Sequence, residues 1–132
     1  MEKIINEVEN AFSILKSGGI ILYPTDTIWG IGCDATNDKA ILRINKLKDR
    51  DTSEPMLSLI NNSKMLDKYL HVKPAFINDV LKEISSPTTI IYSNPKNISK
   101  LLISKENTVA FRIVKDSFCS RLISRIQKPI VS

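Results

Sequence analysis

At 132 residues, with 42% hydrophobic side chains and a mean hydropathy of −0.06, the chain has the size and apolar content of one globular domain with a single core. Its longest apolar runs, such as Ile20–Leu22 and Val109–Phe111, fall far short of the ~20 residues that span a bilayer, and MEKIINEVEN lacks a signal-peptide stretch, so the expectation is a cytoplasmic protein with no membrane role. Nineteen Lys and Arg against fourteen Asp and Glu leave a net +5 that suits a polyanionic ligand, but no basic run reaches five and aromatics are only 6%, which argues against a dedicated base-stacking surface.

From the N-terminus, Ile4, Val8, Ala11, Phe12 and Leu15 recur on one helical face over Glu2–Lys16, and Gly18-Gly19 ends that helix. Ile20–Tyr23 reads as a buried strand. The polar, glycine-containing stretch "PTDTIWGIG" that follows is costly to fold unless it binds something. Asn37 and Asp38 then offer an N-cap to a helix that turns Ala40, Ile41, Ile44 and Leu47 inward and delivers Lys48 and Arg50 at its C-terminal end, where positive charge suits the helix dipole.

Pro55 opens a second strand, Met56–Ile60. Two helices follow, Ser63–Tyr69 and Lys73–Ile84, the latter with Pro74 in its first turn. Thr88–Tyr92 is a third strand, Ser93–Ser99 a surface loop, Thr108–Ile113 a fourth strand and Ser117–Ile126 a helix, with Pro129–Ser132 beginning another buried strand. Interleaved strands and helices make the class α/β, one sheet covered by helices, with no linker or repeat.

Phosphate-loop, dinucleotide and nucleophile-elbow signatures are absent. Cys33, Cys119 and a single histidine cannot assemble a Cys/His metal cluster, so the cysteines read as reduced core thiols and His71 as an exposed polar residue. What remains is polar residues at strand ends: Thr25, Asp26 and Thr27 after the first strand, Lys48, Asp49 and Arg50 before the second, Thr108 and Arg112 bracketing the fourth. Ligand sites in α/β sheets gather beyond strand ends, and converging cations suit phosphate. The same residues also suit turns and solvated surface. Gly30 and Gly32 suit a bulge or close backbone approach as well as a ligand, and Trp29 and Ile31 fit a pocket wall or the core.

"YPTDTIWGIGCDA" with "KLKDRDTSEPMLSLI", followed by "SSPTTIIY", "NTVAFRIVKDS" and "QKPIVS" in the same order, resembles the YrdC-like family of threonylcarbamoyl-AMP synthases over the whole chain. The resemblance implies a twisted mixed α/β sheet flanked by helices, whose cleft takes ATP, L-threonine and bicarbonate and forms threonylcarbamoyl-adenylate and pyrophosphate. Threonylcarbamoyl-transferase proteins then pass the group to adenosine 37 of tRNA (the t6A modification). By position, Lys48 and Arg50 would meet the ATP phosphates and carry catalysis, with Glu54 and Thr108 also at ATP. Thr27, Leu59, Arg112 and Ser132 would meet the threonine substrate, Arg112 through its carboxylate. Magnesium would arrive with ATP, without a dedicated protein cage.

Two departures accompany the resemblance. The family's P-G-P-x-T reads Ser85-Ser86-Pro87-Thr88-Thr89 here, which loses the glycine and keeps Thr89. The sequence also stops at Ser132, where the family's ATP-contacting S-x-N segment begins, so the expected organisation is one YrdC-like domain, 1–132, cut short before that motif. The alternative reading is a non-catalytic YrdC-like module that binds nucleotide or RNA.

Overall fold

The computed structural model describes residues 2–24, 29–49 and 55–132. Helix α1 (Glu2–Lys16) buries Val8, Ala11 and Leu15, spaced to share one face. It ends where Gly18 takes a φ of +86°, a conformation L side chains avoid, so that the Gly18 and Gly19 N–H groups donate back to Leu15 O and Ile14 O at 3.0 and 2.8 Å. Strand β1 (Ile21–Pro24) pairs antiparallel with β2 (Trp29–Gly32). The sequence pattern gives no sign of β2, because two glycines in four residues erase the alternation that marks a strand.

Helix α2 (Asp38–Leu47) starts at Asn37, whose side chain accepts from the Ala40 N–H at 3.0 Å. Ala40, Ile41 and Ile44 are buried as predicted. Leu47 is not: it is the last helical residue, one turn beyond the last buried contact, and is 65% exposed. The second strand is shorter than expected. β3 (Ser58–Ile60) starts two residues after Met56, which is buried without strand pairing. Ser63–Met65 forms a 3-10 turn that leads into α3 (Leu66–Tyr69). The next helix, α4 (Ile77–Lys82), begins after a turn in which the Ile77 N–H donates to Pro74 O at 3.1 Å, so Pro74 precedes the helix. Strands β4 (Thr89–Ser93) and β5 (Thr108–Ile113), helix α5 (Ser117–Ile126) and strand β6 (Ile130–Val131) complete the described elements.

The described strands form two sheets rather than one. β1 and β2 make a hairpin, and four strands follow the order β4-β5-β3-β6, mixed because β3 runs parallel to β5 while the other neighbours are antiparallel. β6 joins the two, since Val131 N–H donates to Cys33 O at 2.8 Å and Ala35 N–H to Pro129 O at 3.0 Å. Gly32 permits this closeness: a Cβ there would lie 2.4 Å from Val131 O and 2.6 Å from the Tyr23 ring.

Apolar clusters fill both sides of the four-stranded sheet. Ile41, Ile44, Ile60, Leu66, Phe111 and Val131 pack on one side; Val8, Leu15, Leu59, Leu122 and Ile130 pack on the other, under α1 and α5. Arg125 fastens α5 to α1, with its Nε 2.8 Å from Glu9 Oε1 and its guanidinium 3.8 Å above the Phe12 ring. Cys33 and Cys119 are buried on opposite sides and form no disulfide. His71 is exposed. Among the described residues no helix is long and apolar enough to cross a membrane.

Candidate active site

Strand register brings the predicted residues of the sheet together. Thr89 lies opposite Arg112, Arg112 beside Leu59, and Leu59 opposite Ile130, so these four form one row across the sheet on a common face. Two residues back along β5, Ala110 faces Ile91, and two further back Thr108 faces Ser93. At the β3–β6 end of this face Leu59 and Ile130 are each 1% exposed beneath α1 and α5. At the β4–β5 end Thr89, Ile91 and Ser93 are exposed, and Thr108, Ala110 and Arg112 are half-buried. The open patch therefore has Arg112 and Thr89 at one end, Thr108 and Ser93 about 13 Å away at the other, and an apolar middle of Ile91 and Ala110.

Arg112 Nε and Nη2 both donate to Thr89 Oγ1, at 3.2 Å each. That contact fixes one edge of the guanidinium while Nη1 keeps its donors, and among the described residues no carboxylate is paired with it. A half-buried guanidinium set by a neutral hydroxyl is suited to an incoming carboxylate or phosphate. Thr89, conspicuous in sequence only as the retained threonine of a motif, is thus a partner of Arg112. Ser132 continues the ladder beyond β6, its N–H donating to Leu57 O at 3.0 Å. The Tyr23 hydroxyl holds the preceding carbonyl, Val131 O, at 3.1 Å, and burial drives its pKa upward, so it stays a neutral donor.

The other predicted residues belong to other elements or lie outside the description. Leu59 is a sealed core residue, so its side chain supports Arg112's neighbour strand and does not reach the open patch. Lys48 is exposed at the end of α2, where its N–H caps Ile44 O at 2.9 Å. Thr27, Arg50 and Glu54, with Thr25 and Asp26, lie outside the described residues. Trp29 is 67% exposed and lines a groove of about 490 Å³ with Leu22, Tyr23, Ile14 and Phe118, whereas Ile31 packs against the core. No group of three His, Cys, Asp or Glu suited to a metal ion occurs among the described residues.

Comparison with known proteins gives consistent matches. The Sua5/YciO/YrdC family model, described as telomere recombination, matches residues 13–132. A threonylcarbamoyl-AMP synthase of Psychromonas ingrahamii is 32% identical over 130 residues, covering 96% of this chain and 68% of that protein. The crystal structure of P. abyssi Sua5 complexed with L-threonine superposes with a TM-score of 0.86 at 22% identity, covering 94% of this chain and 37% of that one. E. coli YciO superposes at 0.83 and 20% identity, covering 96% of this chain and 62% of the other. The two superpositions bear on the fold alone, and the chain spans only part of each of these longer proteins.

Proposed function

The chain belongs to the Sua5/YciO/YrdC family, and from that premise we propose that it serves as a threonylcarbamoyl-AMP synthase. The reaction joins L-threonine, bicarbonate and ATP. The threonine amine takes up bicarbonate carbon with loss of water to give a carbamate. A carbamate oxygen then attacks the α-phosphorus, and the bond to the bridging oxygen of the β-phosphate breaks, releasing pyrophosphate. The product is the adenylate from which threonylcarbamoyl-transferase proteins modify adenosine 37 of tRNA.

The Arg112 guanidinium, held by Thr89 and paired with no carboxylate among the described residues, carries this reading. Attack by one anion on another needs fixed cations and donors more than a nucleophilic side chain. In this reading Arg112 grips the threonine carboxylate, aided by Thr27 and Ser132, while Thr108 and Glu54 contact ATP. Lys48 and Arg50 neutralise its phosphates as charge develops. Leu59 acts from the side, by holding the strand next to Arg112. Magnesium would reach the site on the nucleotide phosphates, where it would neutralise charge without a dedicated protein cage.

A pyrophosphate-release assay with ATP, tested with and without L-threonine and bicarbonate, decides the matter. Release that needs all three supports the proposal. Release independent of threonine, or none at all from a folded chain, contradicts it.

A further inference from the structure

Thr108 is held more completely than any other residue of the open patch, and by a residue outside the recognisable motifs. Ser104, four positions earlier, donates its N–H to Thr108 O at 2.9 Å. Its Oγ accepts the Thr108 N–H at 3.1 Å and lies 2.6 Å from Thr108 Oγ1. The turn between them is closed by Asn107, which has a φ of +60° and whose N–H donates to Ser104 O at 3.0 Å. Asn107 is in turn tied to the end of β4, because Asn94 N–H donates to Asn107 O and Asn107 Nδ2 to Asn94 Oδ1, each at 3.0 Å.

The inventory of a hydroxyl gives this arrangement a consequence. A serine oxygen has two acceptor sites and one proton, and one acceptor site of Ser104 is taken by the Thr108 N–H. When Ser104 spends its proton on Thr108 Oγ1, the threonine proton is released for a ligand; the opposite sense would leave Thr108 only an acceptor. Phosphate oxygens and the ring nitrogens of adenine accept and do not donate, so they select the first arrangement. We infer that Ser104 is a positioning residue for nucleotide binding, one that fixes the Thr108 hydroxyl and turns its proton toward an acceptor atom of ATP. The inference rests on the reading of Thr108 as an ATP contact.

Calorimetric titration of the full chain with ATP, and separately with L-threonine, tests it alongside thermal melts. Ser104→Ala is expected to weaken ATP binding about 2- to 12-fold while leaving threonine affinity unchanged. Ser104→Thr, which retains the hydroxyl, restores ATP affinity to within about twofold. Thr108→Val weakens ATP binding by itself, and adding Ser104→Ala to it causes no further loss, because the two residues act through one hydroxyl. If Ser104→Ala melts within the assay range, Ser104→Cys takes its place, with an intermediate loss expected from its weaker donor. Full ATP affinity in the Ser104 variants, or additive losses in the double variant, overturns the role of Ser104 alone. Unchanged affinity in Thr108→Val, or no ATP binding by the parent chain, overturns the Thr108 reading and this inference with it.

Discussion

Thr89, Arg112, Leu59 and Ile130 stand in a single row across four adjacent strands, yet the two halves of that row live in different solvents. Leu59 and Ile130 are roofed by α1 and α5, while Thr89 is exposed and Arg112 half-buried. The sheet backbone is continuous between them. What differs is the cover: aliphatic side chains alone where helices close the face, and a guanidinium and hydroxyls at the two ends of an apolar middle where it stays open. One half of the face holds the fold and the other is available for chemistry.

The largest effect that would sharpen this contrast comes from truncating equivalent aliphatic residues on either side. Leu59→Ala should cost about 2–5 kcal/mol, because it leaves a cavity beneath the helices. Ile91→Ala, at a position 69% exposed on the open half, should shift stability by no more than about 0.5 kcal/mol. Urea unfolding of both variants measures the difference; equal losses would erase the distinction between roofed and open halves.

Where the hairpin meets β6, Gly32→Ala should destabilise by about 1–3 kcal/mol, since the new methyl must displace Val131 O, a backbone atom, as well as the Tyr23 ring. A thermal melt unchanged from the parent would mean that the close approach is dispensable.

Arg112→Lys should leave stability near that of the parent and weaken L-threonine binding about tenfold or more, with little change for ATP, because lysine keeps the charge without the planar fork. Titration with each ligand separates the two, and equal loss for both would argue against a carboxylate role.

The core on the opposite side of the sheet, which holds Cys33 and Tyr69, should also respond to alkali. Burial pushes the Cys33 thiol up to about 12 from an ordinary 9.0 and the Tyr69 hydroxyl up to about 12 from 10.0. The unfolded chain gives up these protons first, so stability is fully present below pH 9 and declines as pH rises toward 12. Cys33→Ala, which has no thiol to titrate, should show a shallower decline between pH 8 and pH 10.5 than the parent. Parallel declines would remove Cys33 from the account.

Much of this division was legible in the sequence, for reasons that differ by element. α1, β5 and α5 have the predicted bounds, because a 3.6-residue apolar face or a glycine, asparagine or aspartate at the boundary marks each of them locally. β2 was invisible since its identity as a strand comes from pairing with β1, not from its own side chains. Leu47 satisfied the helical period and still faces solvent, because periodicity says which side a residue takes and not how far the covering core extends. The site divides in the same way. Thr108 and Arg112 could be placed at strand ends by residue type and by family resemblance. Thr89 and Ser104 act through register and a turn, and only tertiary structure supplies those. Thr27, Arg50 and Glu54 rest on the resemblance.

The central claim, that the open β4–β5 half is the ligand face, is tested most directly by mapping backbone amide chemical shifts as L-threonine and then ATP are added to the isotopically labelled chain. The account predicts perturbations at Thr89, Ile91 and Thr108–Arg112, with Arg112 and Thr89 responding first to threonine and Thr108 to ATP, while the amides of α2 before its last turn and of α4 stay silent. Saturable shifts confined to other surfaces, with β4 and β5 unmoved, would contradict it.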